Sequence, residues 1–288
     1  MCLGHTHALS GAATGAAVGL FILHTRTSGT ADLALLSAGF AVVPDIDKCG
    51  ATVSRSFGFL TESFAWLVGR ISGGHRHGTH SLIGIGVFTG LTFLACKYRA
   101  DWPGRVGLML LLAIGFAAGL RALRIGGHFA DALALAAAAY ICWKGWNLTL
   151  IPIAAAAGTA THIVGDMLTI EGCPLLWPFT LAHFKILPRP FSFRTGTWRE
   201  HIVLVPLLFV ALAWLAYRVA LTGHYITAEL NNSTEPAASP KHPRSTGVPP
   251  LTLRVSLHAN PSVLCPICRN LATICHVKTG SHARTRGG

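Results

Sequence analysis

Long apolar segments recur between residues 8 and 221, and they limit this chain to folds that a lipid bilayer can hold. Segments of roughly 17 or more apolar residues are long enough to cross the hydrocarbon core as helices. Composition agrees, because 51% of the residues are hydrophobic and only 12% are charged. Soluble domains carry about twice that charged fraction. The sequence therefore predicts an integral membrane protein.

The apolar segments predict an all-α, polytopic helix bundle of about six or seven spans. They are rich in Ala, Gly and Leu, as closely packed membrane helices are. The second is short and ends at Pro44, so a re-entrant segment is an alternative there. The seven candidate spans are Ala8–Leu23, Ala31–Pro44, Leu82–Cys96, Val106–Leu120, Phe129–Trp143, Leu148–Val164 and Ile202–Leu221.

Two long polar connections, 45–81 and 166–201, separate these spans. In the first, apolar residues recur at helical spacing from Phe57 to Ile71, which predicts a helix at the interface or packed over a site. The second is rich in proline and predicts a loop. From residue 228 onward, Pro, Ser, Thr and Asn predict a disordered tail. The chain thus divides into a membrane domain, 1–227, and a tail, 228–288.

Histidines and acidic residues gather at the span ends that seven crossings bring to one side of the membrane. Nine of the 15 histidines fall on this side, so we expect a site at one membrane face. The residues concerned include His5, His7, Asp45, Asp47, His75, His77, His80, His128, Asp131, His162, Asp166, Glu200 and His201.

Several of these residues have the spacing of metal ligands. His162 and Asp166 are four apart, so one helix face presents both to one ion. Asp45 and Asp47 are two apart and point the same way in an extended chain. Segment 75–80 carries three histidines behind two flexible glycines. Imidazole with carboxylate is the mixture that Zn, Mn or Fe favours, and four or more such ligands could hold two ions. We expect one or two divalent ions, with zinc the first choice.

Four motifs in order carry a resemblance to a known family. They are Thr6-His7, Pro44-Asp45-Ile46-Asp47, His75-Arg76-x2-Thr79-His80-Ser81, and His162-x2-Gly165-Asp166-x-Leu168-Thr169 followed by Gly172-x-Pro174-Leu175-Leu176-Trp177-Pro178. From about residue 5 to 220 the chain resembles the YdjM-type family of inner-membrane-associated, metal-dependent hydrolases. The resemblance implies a multi-pass protein of the plasma (inner) membrane.

The resemblance also implies a set of site residues. The implied metal ligands are His7, Asp45, Asp47, His75, His80, His162 and Asp166. Arg76 would lie beside them, where a guanidinium suits a phosphate or a developing negative charge. His77 stands where the family has a small or apolar residue, which leaves the choice of ligand within segment 75–80 open.

These features favour a membrane-bound hydrolase that cleaves a phosphoester, small or lipid-linked, through metal-activated water. Asp47 or Glu200 is the candidate general base, and Arg76 would stabilise developing charge. A membrane di-iron oxidase is one alternative, although its HxxxH and HxxHH spacings are absent from the sequence. A transporter or metal-handling protein is another, although transporters hold ionisable residues near the bilayer midplane. The expected partners are the bilayer and the substrate. No basic run interleaved with aromatics occurs, so we expect no nucleic acid.

Overall fold

The computed structural model of the chain describes residues 4–188, 191–192, 194 and 196–234, with side chains up to residue 222. Within these residues the fold has eight α-helices and no strand, which confirms the all-α prediction. Two π-helical segments, Val18–Ile22 and Glu200–Leu204, adjoin α1 and α8. The helices are α1 Gly4–Ala17, α2 Thr27–Phe40, α3 Phe59–Ile71, α4 Leu82–Lys97, α5 Trp102–Ala122, α6 Gly127–Lys144, α7 Leu150–Met167 and α8 Val205–Thr234.

Every predicted span coincides with a helix, but only some of these helices are long and apolar enough to cross a membrane. In the described part of the chain, four stretches do so: Thr27–Asp47, Trp102–Ala122, Leu150–Met167 and Glu200–Thr222. The first has 21 residues, which favours a full crossing over a re-entrant segment for the second predicted span. The count of six or seven spans stays a prediction, because α1, α4 and α6 fall short of these criteria.

The long connections take the forms that the sequence predicts. The first contains α3, whose outer face exposes large apolar residues such as Phe59 and Ile71 while Thr61 and Ala65 are buried. An exposed apolar face of this kind suits the boundary between headgroups and acyl chains. The second has no α-helix between Met167 and Trp198 among its described residues. Helix α8 passes the predicted boundary at 227, and the predicted tail beyond Thr234 lies outside the described residues.

Glycines bring the other helices against α2. A methyl group added at Gly15 of α1 would lie 2.3 Å from the Leu33 carbonyl oxygen, and one added at Gly158 of α7 would lie 2.6 Å from the Ser37 carbonyl oxygen. Such close backbone approach through small residues is how membrane helices pack without a hydrophobic drive between them. Asp45 follows the C-terminal end of α2, and His162 and Asp166 lie near the C-terminal end of α7. The packing of these two helices therefore sets the distance between the predicted ligands.

We expect Gly158→Leu to lower the stability of the folded protein. The added side chain would meet backbone atoms of α2, and overpacking of this kind costs roughly 1–3 kcal/mol. Gly90→Leu is the matched control, because an added methyl group there meets no atom within 4 Å. The unfolding midpoint of purified protein in detergent measures both. Equal midpoints for the two variants would contradict the packing of α7 on α2 through Gly158.

Candidate metal centre

Four parts of the chain meet at one end of the bundle. They are the first turn of α1, a 3-10 helix Val43–Asp47 that follows α2, a 3-10 helix Gly78–His80 that precedes α4, and the C-terminal end of α7. All seven predicted ligands lie in this region, and six of them are buried whereas His75 is partly exposed. The fold thus brings together residues that are up to 159 positions apart in the sequence, from His7 to Asp166.

At the centre of this region, two imidazole nitrogens face each other and each lies within 4 Å of the same two carboxylate oxygens. The Nε2 atoms of His80 and His162 are 3.1 Å apart. The Asp45 Oδ1 atom is 3.4 Å from the first nitrogen and 3.7 Å from the second. The Asp166 Oδ2 atom is 3.6 Å and 3.9 Å from the same two nitrogens. Ligands about 2.1 Å from a tetrahedral zinc ion would be about 3.4 Å apart. The observed spacing therefore fits one ion.

The second carboxylate oxygen of Asp166 faces another candidate ligand. Asp166 Oδ1 is 3.6 Å from His7 Nε2, and the His7 ring stacks on that of His162 with 3.9 Å between centroids. Two adjacent sets result, one of His7, His162 and Asp166 and one of Asp45, Asp47, His75 and His80, and each has the spacing to hold a metal ion. A carboxylate that faces both sets, as Asp166 does, suits one ion or a pair.

Hydrogen bonds fix the orientation of the two central imidazoles. His162 Nδ1 donates to the Ala41 carbonyl oxygen at 2.7 Å, which leaves Nε2 with a lone pair. The Thr79 hydroxyl donates to Asp47 at 2.6 Å, so its oxygen accepts from His80 Nδ1 at 2.9 Å. Metal-binding histidines usually donate their other ring N–H in this way, which fixes the tautomer and aims the free nitrogen.

The region carries more buried acceptors than the protein satisfies. Among the described residues, Asp45 Oδ1, both Asp166 carboxylate oxygens and both His7 ring nitrogens are buried without a hydrogen-bond partner. A buried carboxylate without compensation is costly. Burial alone would lower the pKa of His80, but its contacts with Asp45 and Asp47 outweigh that effect and raise the pKa to about 9. The pocket therefore favours positive charge, and the donor set fits a divalent cation.

Arg76 borders the carboxylates, as the resemblance implies. Its backbone has a left-handed φ of 64°, and its N–H donates to Asp47 at 3.0 Å. The guanidinium Nε is 3.5 Å from Asp166 Oδ2, and Nη1 donates to Glu171 in the loop that follows α7. Nε and Nη2 are buried with no hydrogen-bond partner in the described chain. The guanidinium thus has two donors left for an anion beside the candidate ligands.

Other predicted residues lie apart from this centre. Glu200 is buried, but it accepts from the Thr6 hydroxyl at 2.7 Å and from the Gly196 N–H at 2.8 Å, and it belongs to neither ligand set. His128 is exposed, and Asp131 forms an ion pair with Arg121 at 2.7 Å instead. His128 and Asp131 were predicted at the same membrane face, but neither belongs to a ligand set.

Within segment 75–80 the structure separates the three histidines. His75 and His80 belong to a ligand set, with His75 Nδ1 2.8 Å from Asp47 Oδ1, whereas His77 does not. Sequence reasoning missed the groups that orient the ligands: the Ala41 carbonyl, the Thr79 hydroxyl and Glu171. Thr79 could have been found from its place next to His80, but a backbone carbonyl leaves no signal in the sequence.

Comparison with known proteins identifies a family. The family model described as YdjM inner membrane protein matches residues 1–228, which include all four motifs and both ligand sets. No curated protein and no solved structure matches the chain. The match and the four candidate spans agree with the predicted location in the inner membrane. The chain belongs to the YdjM family of inner membrane proteins.

Proposed function

We propose that this protein is a membrane-bound, metal-dependent hydrolase that cleaves a phosphoester, either small or lipid-linked. One observation carries the proposal: the buried carboxylates of Asp45 and Asp166 lie within 4 Å of two imidazole nitrogens that face each other, and a third buried carboxylate, Asp47, lies at the other nitrogen of His80. When the histidines are neutral, as they are when they bind an ion, Asp45, Asp47 and Asp166 carry at least two more negative charges than Arg76 offsets, because Arg76 also pairs with Glu171. A divalent cation would balance that charge.

The residues that would hold the ion are His80, His162, Asp45 and Asp166, and His7, His75 and Asp47 would complete one or two coordination spheres. Nitrogen and oxygen ligands in this arrangement suit zinc, and manganese or iron accepts the same ligands. When bound, such an ion supplies Lewis acidity, which lowers the pKa of water and polarises a phosphoryl oxygen.

The protein's own side chains would do the remaining chemistry. Arg76 would donate its free Nε and Nη2 hydrogens to a non-bridging phosphate oxygen. The oxygen of water forms a bond to phosphorus as the bond to the leaving alcohol oxygen breaks. Of the two candidate bases, Asp47 belongs to a ligand set and Glu200 belongs to neither. Asp47 would accept one proton from water, and its hydrogen bond to the partly exposed His75 gives that proton a route toward solvent. The leaving alcohol oxygen takes one proton from solvent, so the proton count is unchanged.

We also propose that α1, α4 and α6 cross the membrane, which gives seven spans. The contacts at the candidate centre support this count. They join the start of α1, the end of α2, the start of α4 and the end of α7, and seven alternating crossings put these four ends on one face. A reporter fused after residue 222 tests the parity of the count.

The function is tested by assaying detergent-purified protein against phosphomonoesters and phosphodiesters with zinc or manganese added. Release of phosphate or alcohol that depends on the ion supports the proposal. If the protein hydrolyses none of these esters and instead carries zinc or manganese into proteoliposomes in an Asp166-dependent way, the hydrolase proposal is wrong and the transporter alternative is favoured.

We expect Arg76→Ala to lower kcat/KM about 100-fold while the metal content stays at the wild-type value. Loss of one preorganised donor to a developing negative charge commonly costs this much or more. Arg76→Lys should recover only part of the loss, because lysine keeps the charge without the forked geometry. Arg121→Ala is the control, since Arg121 is paired with Asp131 away from the centre. If kcat/KM falls by a similar factor in both alanine variants, Arg76 has no special role in the reaction.

A further inference from the structure

His7 differs from His80 and His162 in what fixes the position of its ring. His80 and His162 each use Nδ1 in a hydrogen bond that aims the Nε2 atom. Both ring nitrogens of His7 are buried without a hydrogen-bond partner among the described residues. Its ring packs against the His162 ring and against Gly165, where an added methyl group would lie 3.2 Å from His7 Cε1. The position of His7 therefore depends on where the backbone of α1 lies.

Glu200 holds the first turn of α1 against the start of α8. The Thr6 hydroxyl, next to His7 in the chain, donates to Glu200 Oε1 at 2.7 Å, and both residues are buried. The Gly196 N–H donates to the other carboxylate oxygen at 2.8 Å. A hydroxyl that donates to an ionised carboxylate makes a bond roughly twice as strong as one between neutral groups. This bond ties the residue beside a candidate ligand to the last predicted span.

A ring contact accompanies this hydrogen bond. The imidazoles of His5 and His201 stack with 5.7 Å between their centroids. His5 and Thr6 are consecutive on α1, and Glu200 and His201 are consecutive on the π-helical segment that precedes α8. Two adjacent contacts thus join the same two turns of the chain. They limit the movement of the α1 turn that carries His7.

We infer that Glu200, through Thr6, is a positioning residue for the metal ligand His7. The inference rests on the metal centre of the proposed function, and it gives Glu200 a role other than that of a general base. Substitution of a group that orients a metal ligand typically lowers metal affinity about 10–100-fold. Because Glu200 bonds the residue beside the ligand and not the ligand ring, we expect the lower end of that range.

The zinc affinity of the full-length, detergent-purified protein tests the inference, measured by competition with a chelator of known affinity. Thr6→Val removes the hydroxyl and keeps the branched shape, and we expect it to weaken zinc binding about tenfold. Glu200→Gln keeps the shape of the other partner and should weaken binding in the same direction. Thr6→Ser should stay close to wild type, because it keeps the donor. Thr92→Val is the matched control, since the buried Thr92 hydroxyl donates within its own helix.

A His7→Ala background separates the positioning of this ligand from a general effect on the fold. There Thr6→Val should weaken zinc binding no further, because the ligand that Thr6 helps to position is already absent. Equal weakening by Thr6→Val with and without His7, a similar loss in Thr92→Val, or wild-type affinity in both Thr6→Val and Glu200→Gln would overturn the inference.

The same measurements separate this inference from the proposed function. Zinc affinity does not depend on hydrolysis. If the affinity follows the variants while the wild type hydrolyses no phosphoester, the positioning role stands and the proposed function fails. A wild-type protein that binds no zinc would overturn the inference together with the metal centre.

Discussion

Asp166→Asn is expected to lower kcat for phosphoester hydrolysis roughly a thousandfold. Asp166 Oδ2 lies near His80 and His162, and Oδ1 lies near His7, so the substitution removes the negative ligand of one set and the carboxylate that faces His80 of the other. A bound ion contributes several kcal/mol to the stabilisation of a phosphoryl transition state, and about 4 kcal/mol corresponds to a factor of a thousand. Steady-state release of alcohol from a phosphoester measures the change.

Asp131→Asn is the matched control for this experiment. Asp131 is also predicted on the site face, but it pairs with Arg121 and belongs to neither ligand set. We expect its substitution to leave kcat within about twofold, because a partly exposed ion pair contributes little. If Asp131→Asn and Asp166→Asn lower kcat by the same factor, the loss comes from a general effect on the fold and not from the candidate centre.

Removal of the ion is expected to lower the midpoint of thermal unfolding by roughly 10 °C. An ion that binds only the folded protein stabilises it by about 4 kcal/mol when its concentration is a thousand times its Kd, and each kcal/mol moves the midpoint by about 2–4 °C at this chain length. The folded protein is less stable without a cation because buried carboxylate oxygens of Asp45 and Asp166 then have no hydrogen-bond partner in the described part of the chain. Scanning fluorimetry before and after dialysis against dipicolinate measures the shift.

The His162→Ala variant serves as the internal control for chelation. Because this variant lacks a central ligand, dipicolinate should leave its unfolding midpoint unchanged. Zinc added after chelation should restore the midpoint of the wild type and should not change that of His162→Ala. A wild-type midpoint that chelation does not move, or an equal shift in His162→Ala, would show that the chelator acts elsewhere.

The sequence predicted the helices well because they depend on local patterns. Apolar runs of sufficient length predict helices wherever they occur. His162 and Asp166 lie on one face of α7 because four residues make about one helical turn, which spacing alone predicts. Counting the membrane crossings predicted that His7, Asp45 and His80 lie at the same membrane face. The contacts of His7 with Asp166 and of His80 with Asp45 agree with that prediction.

The remaining features depend on long-range contacts that residue types do not reveal. Glu200 looked like a candidate base because it opens the last span, yet Thr6 and Gly196 take its oxygens. The Ala41 carbonyl orients His162, although nothing about an alanine predicts that role. Spacing could not separate His75 and His80 from His77, because the left-handed backbone at Arg76 departs from the regular helix or strand that a spacing argument assumes.

Metal analysis of the detergent-purified, full-length protein tests the central claim most directly. The analysis compares wild type with His162→Ala and with His128→Ala, whose exposed histidine stands on the predicted face outside the ligand sets. The account predicts one or two equivalents of a divalent metal, zinc first, in wild type and His128→Ala, and loss of that metal in monodisperse His162→Ala. Wild-type protein without stoichiometric metal after growth and purification with zinc, or a metal content unchanged by His162→Ala, would contradict it.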